Sequence, residues 1–218
     1  MANTKRILRI VNDSAIWAIV IGLLCWMFFT GYKCDNCKDY PTHIHKDRID
    51  LAYQGAKDAL VVEVDKYIQT IAPGSCLNGI VLVEQCLKYD VDIRLALVQG
   101  HCESHFGTKG LAAKTNSVFN VGAYDGLSAK QIMKNGHCYT HPDHSVEPYL
   151  KLLTTKYLVD GKTEMDLLDK FVDAGGHRYA SNKNYEAHLL EKFSQIDSVA
   201  NISQAMLEYK RYKILSGK

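Results

Sequence analysis

Glu103 closes an apolar run and opens the string Glu103-Ser104-His105-Phe106-Gly107-Thr108. The segment Asn116-Ser117-Val118-Phe119-Asn120-Val121-Gly122 follows shortly after, and a Tyr179-Ala180-Ser181 turn comes much later. The residues ahead of it, Val91 to Cys102, include no proline and favour helix, so Glu103 is expected at the last turn of a buried helix. A carboxyl held there is partly desolvated, which disfavours its charged form and raises its pKa. That is the property of a general acid, the kind of group that cleavage of a carbohydrate linkage requires.

Two histidines flank this carboxyl, and His101 and His105 share a helix face as zinc ligands do. The spacing is wrong for a zinc protease, which places its Glu directly after the first His, whereas Cys102 intervenes here. The deaminase pattern that His101-x-Glu103 opens lacks its Pro-Cys-x-x-Cys continuation. Cys34-x-x-Cys37 with His43 and His45 is too tight for a zinc finger and reads as a disulfide or free thiols. His137, His141 and His144 read as an exposed loop around Pro142. No catalytic metal and no cofactor are expected.

Helices must carry these residues. Apolar positions from Ile49 to Ile71 recur at helical spacing until Pro73-Gly74, giving a first amphipathic helix over residues 47–71. Ser75 is placed to cap a second helix reaching about Tyr89, and Asp90 or Asp92 to cap the third, which ends at Glu103. Short helical stretches are expected over 111–115 and 128–133, with longer ones over 146–159, 163–174, 185–196 and 198–214. No strand pair or internal repeat is evident, so the fold is expected to be mainly α around one core.

The chain has 218 residues, 47% hydrophobic and 23% charged, with a formal charge of +2. This fits one globular domain and gives no reason to expect a nucleic-acid partner. Residues 15–32 carry no charge over roughly 18 residues, about the minimum for a spanning helix. Lys5, Arg6 and Arg9 precede them, so residues 1–14 are expected in the cytoplasm, 15–32 as a single transmembrane anchor, 33–46 as a stalk and 47–218 as a domain on the outer side. A cleaved signal peptide is the rival reading, but it calls for a shorter core and an Ala-x-Ala-like site. Of seven cysteines, Cys25 lies in the anchor; Cys76 and Cys86 read as buried small hydrophobes of one helix.

The order Gln99, Glu103-Ser104, Gly107-Thr108, Leu111-Ala112, Asn116, Phe119 resembles the glucosaminidase domain of glycoside hydrolase family 73, the flagellar-type and autolysin-type enzymes that cut peptidoglycan. Tyr139 followed by Ser145-Val146-Glu147 resembles another of its segments. Tyr179-Ala180-Ser181-Asn182-Lys183-Asn184-Tyr185 resembles its Tyr-Ala-Thr-Asp-x-x-Tyr turn. An anchored chain of this size is also similar to small phage lysins. The chain departs from the family's pattern at Gly100 and Cys102, at Asn120 where Gly is usual, and in the short insert between Gly122 and Tyr139, which in many members is a hairpin bearing a second carboxylate.

The resemblance implies a lysozyme-like helical domain that cleaves the β-1,4 bond after N-acetylglucosamine in peptidoglycan glycan strands, with Glu103 as the acid. Asn116, Phe119, Tyr139, Tyr179 and Tyr185 become candidate substrate-binding residues; core tyrosines with satisfied hydroxyls are the other reading of Tyr179 and Tyr185, and Asn116 and Phe119 carry a similar dual reading, with Asn116 either bonding the acetamido group or simply holding its loop. Asp125 is the candidate second carboxylate, with Glu147 behind it, unless the substrate's acetamido group serves instead. Two rivals stay open: a lytic transglycosylase or muramidase acting on the same strand, and a wall-binding protein without catalysis.

Overall fold

A computed structural model describes residues 42–123 and 126–218. The expected cytoplasmic segment and anchor, most of the stalk, and Asp125 lie outside them. Among the described residues there are nine helices and no strand, a mainly α architecture consistent with the expected lysozyme-like domain. No helix there is long and apolar enough to cross a membrane. A compact unit spans residues 46–218.

Helix α1 runs Thr42–Ile71, so the end of the expected stalk is helical. Its start lies further back than the apolar pattern because no proline or glycine stands between Thr42 and Gly55 to stop it. Leu60, Val64, Tyr67 and Ile68 line its buried face. Helix α2, Gly79–Tyr89, is not capped by Ser75. Its first N–H is taken by Asp65 of α1, Gly79 N to Oδ1 at 2.6 Å, while Ser75 Oγ donates to Phe106 O at 2.8 Å. A Cβ on Gly79 would stand 2.5 Å from Asp65 Oδ1, so glycine is what lets the carboxylate reach the helix end.

Helix α3, Ile93–Ser104, is capped by Asp92, whose carboxylate accepts from Arg94 N at 2.8 Å. Asp90 instead ends α2 in the left-handed region. Ile93, Leu95, Ala96, Leu97, Val98, Gln99 and Gly100 are all buried, which makes α3 the central element. Beyond it come α4 (Ala112–Thr115), α5 (Ala129–Lys134, with the Ser128/Gln131 capping box) and a 3₁₀ turn at Pro142–Ser145. Thus the His137–His144 region is not a plain exposed loop: Pro142 and Ser145 are buried. Helix α6, Val146–Leu152, passes into a π-helical stretch, Leu153–Tyr157.

Helix α7, Glu164–Asp169, is shorter than its apolar spacing suggests, because Phe171 turns into the core and Val172 pairs with Arg178 in an isolated antiparallel bridge. Helices α8 (Tyr185–Val199) and α9 (Ile202–Ser216) complete the unit, and α8 packs along α3. Cys86 is buried as expected, but Cys76 lies outside any helix and is exposed. Cys76, Cys86, Cys102 and Cys138 are all free thiols.

Candidate active site

Helix α3 stops because the chain reverses hand. His105, Phe106 and Gly107 take φ values of 45°, 53° and 83° in succession, and Phe106 N bonds back to Gly100 O at 3.0 Å. Two non-glycine residues in this region are costly, about 1 to 2 kcal/mol each. Full burial of the Phe106 ring, edge-on to Tyr67, offsets that cost. The same ring explains Gly100: a Cβ there would meet Phe106 Cε1 at 2.9 Å and Phe119 Cε1 at 3.4 Å. Gly100→Ala should therefore lower stability by about 1 to 3 kcal/mol in denaturant unfolding. An unchanged midpoint would show that both rings can yield.

Glu103 sits on the last turn of α3, half-buried. Its Oε1 accepts from the Tyr185 hydroxyl at 2.6 Å. Asn120 Nδ2 reaches both Glu103 O, at 3.0 Å, and Oε2, at 3.3 Å. Burial pushes the carboxyl above its ordinary pKa, and the Tyr185 and Asn120 hydrogen bonds only partly oppose this. Asn120 holds φ 51°, which accounts for glycine as the common choice there. Asparagine tolerates the same backbone and adds a donor to the carboxyl.

The loop that follows is riveted to the helix end. Ser104 Oγ donates to Val118 O at 2.6 Å and accepts from Gly107 N at 2.7 Å. Val118 N donates to Ser145 Oγ at 3.1 Å, and the Tyr179 hydroxyl donates to Phe119 O at 2.8 Å. Asn116 Nδ2 donates to Tyr139 O at 2.8 Å, and Tyr139 N to Thr115 O, also at 2.8 Å.

These bonds sort the expected binding residues. Phe119 is fully buried and stacks on Tyr149 at 3.7 Å between centroids, so of its two readings the structure places it in the core and not on a binding surface. Asn116 holds the loop through its amide. Tyr139 remains partly exposed. The rings of Tyr179 and Tyr185 lie nearly parallel at 6.0 Å; Tyr179 is half-buried, while Tyr185 is buried and directs its hydroxyl at Glu103. Glu147 is bound by Tyr89 and Lys88, whose hydrogen bonds pull its pKa down to about 2, and it shares no partner with Glu103. It is not placed as a second acid.

Three residues around Glu103 were not singled out as site residues in the sequence: Asn120, which touches the carboxyl, and Gln99 and Tyr149, which reach it through Tyr185. Gln99 is wholly buried; its Nε2 donates to the Tyr185 oxygen at 3.0 Å, and its Oε1 accepts from the buried Tyr149 hydroxyl. The available signal for Gln99 was a polar residue inside Leu95-Ala96-Leu97-Val98-Gln99-Gly100, one helical turn before Glu103. His101, meanwhile, turns to Tyr67, Nδ1 to Oη at 3.2 Å. Burial, with His105 beside it, lowers its pKa to about 4. Among the described residues no group of three or more His, Cys, Asp or Glu is arranged to hold a metal.

The profile of the family described as mannosyl-glycoprotein endo-β-N-acetylglucosaminidase, Glucosaminidase, matches residues 81–198, more than half of the chain. The chain belongs to the glucosaminidase family. It is accordingly a glycoside hydrolase that acts on peptidoglycan. The matched region begins within α2 and ends within α8, and so takes in α3, the riveted loop and Tyr185 together. A search of curated proteins and a search of solved structures each found no match.

Proposed function

We propose that this glucosaminidase cleaves the β-1,4 bond after N-acetylglucosamine in the glycan strand, with Glu103 protonating the leaving oxygen. The observation that carries the reading is the half-buried Glu103 carboxyl at the end of α3, raised in pKa by burial and fixed by Tyr185 at 2.6 Å. Bond breaking generates an oxocarbenium-like centre that needs negative charge or a nucleophile on its other side. Asp125 takes that part in our reading, and the substrate's own acetamido oxygen is the other source. Residues 15–32 anchor the enzyme in the cytoplasmic membrane, N-terminus inward, so that the catalytic unit meets the wall from outside.

Mass analysis of cell-wall digests tests the bond and the reaction type together. New reducing ends carrying N-acetylglucosamine are expected. Anhydro-muramic ends would mean a transglycosylase, reducing muramic ends a muramidase, and no new ends a binding protein.

A further inference from the structure

We infer that Gln99 is a positioning residue that decides which oxygen of Glu103 carries the acid proton. The inference rests on Glu103 being the acid. The Tyr149 hydroxyl lies in the core, wholly buried, and has no hydrogen-bond acceptor among the described residues other than Gln99 Oε1. A buried O–H left unpaired is costly, so Tyr149 donates and the Gln99 amide is locked with Oε1 toward it. Nε2 must then face Tyr185, and it donates to that phenol oxygen at 3.0 Å. An oxygen receiving this bond turns its own hydrogen the other way, onto Glu103 Oε1 at 2.6 Å.

The chain of donors therefore has one direction, Tyr149 to Gln99 to Tyr185 to Glu103. Burial keeps both phenols protonated, so the direction persists across the working pH range. Because Oε1 is occupied as an acceptor, the hydrogen of the neutral carboxyl resides on Oε2. Among the described residues its partner there is Asn120 Nδ2, at 3.3 Å a weak one. Oε2 hands its proton to the glycosidic oxygen, which takes the electron pair of the breaking C–O bond. The charge left on the carboxylate falls on a group already held by a short hydrogen bond, which strengthens as that charge develops. Without Gln99 the phenol is free to accept from Oε1–H, and part of the acid is parked facing the wrong way.

Gln99→Met, close in length but without donor or acceptor, tests this in the full chain on soluble glycan-strand fragments. We expect kcat to fall on the order of tenfold with KM little changed. The alkaline limb of kcat/KM against pH should move upward, since the neutral carboxyl gains an acceptor that the parent denies it. A limb that stays in place or moves down would overturn the inference, because loss of packing alone lowers the amount of active enzyme without shifting its profile. Tyr149→Phe removes the donor that locks the amide and should shift the limb in the same direction; it decides the case should Gln99→Met fail to fold. Parental activity in Glu103→Gln would instead remove the reading of Glu103 itself, whatever Gln99 does.

Discussion

Glu103→Gln is expected to lower kcat/KM by about 10²- to 10⁴-fold, the usual span for loss of a general acid, while leaving the fold intact. The amide oxygen still accepts the Tyr185 hydroxyl, so the site keeps its shape and loses only its proton. Stability should move the other way. Burial raises the folded pKa of this carboxyl above its unfolded value, so its contribution is fully present below the unfolded pKa and is lost as pH rises through the folded one. The variant should therefore match the parent below about pH 4, the ordinary range of an exposed carboxyl, and unfold at a higher temperature than the parent at neutral pH. Thermal unfolding at both pH values, beside wall-clearing assays, checks each half. Equal clearing by variant and parent would sink the assignment of Glu103.

Phe119→Ala should cost about 3 to 5 kcal/mol, because it empties a fully buried aromatic site stacked against Tyr149. The effect distinguishes the two roles the residue could have. A core ring lost in this way lowers the unfolding midpoint and leaves KM of the surviving folded enzyme near the parent's. A sugar-stacking ring would do the reverse. Denaturant unfolding together with KM for soluble fragments measures both, and a raised KM with unchanged stability would return Phe119 to the binding surface.

The contrast between Glu103 and Phe119 marks how far a sequence motif can be read. Glu103 was legible because its place depends on local facts: a proline-free apolar run, and a chain that stops being helical just after it. Asp92 as a cap was legible for the same reason. Ser75 was not, since either its own helix or the neighbouring turn could use its hydroxyl, and packing of the Phe106 turn against it settled the choice. The short α7 was hidden likewise, because its apolar spacing continues into Phe171 even though the backbone does not.

Within the site, the motif showed which residues travel together but not which of them face substrate. Ser104, Asn116 and Phe119 serve the loop, through one hydroxyl, one amide and one buried ring. Gln99 and Tyr149 reach Tyr185, the partner of Glu103, through hydrogen bonds; Gln99 was legible only as a letter of the motif, and nothing in the spacing singled out Tyr149. Their function depends on which way hydrogen atoms point across α3, α6 and α8, and that direction has no counterpart in residue spacing.

The separation of Glu103 from Tyr185, 82 positions along the chain, also bears on the order in which the two groups are made. A ribosome releases the carboxyl long before the phenol that aligns it, and the phenol opens a helix that must lie along α3 before the two meet. Partial synthesis products, or fragments clipped ahead of residue 185, carry the Glu103 carboxyl without its Tyr185 hydrogen bond. With Glu103 as the proposed acid, a copy that ends ahead of residue 185 is expected to clear no wall, which an assay of such a fragment beside the full chain checks.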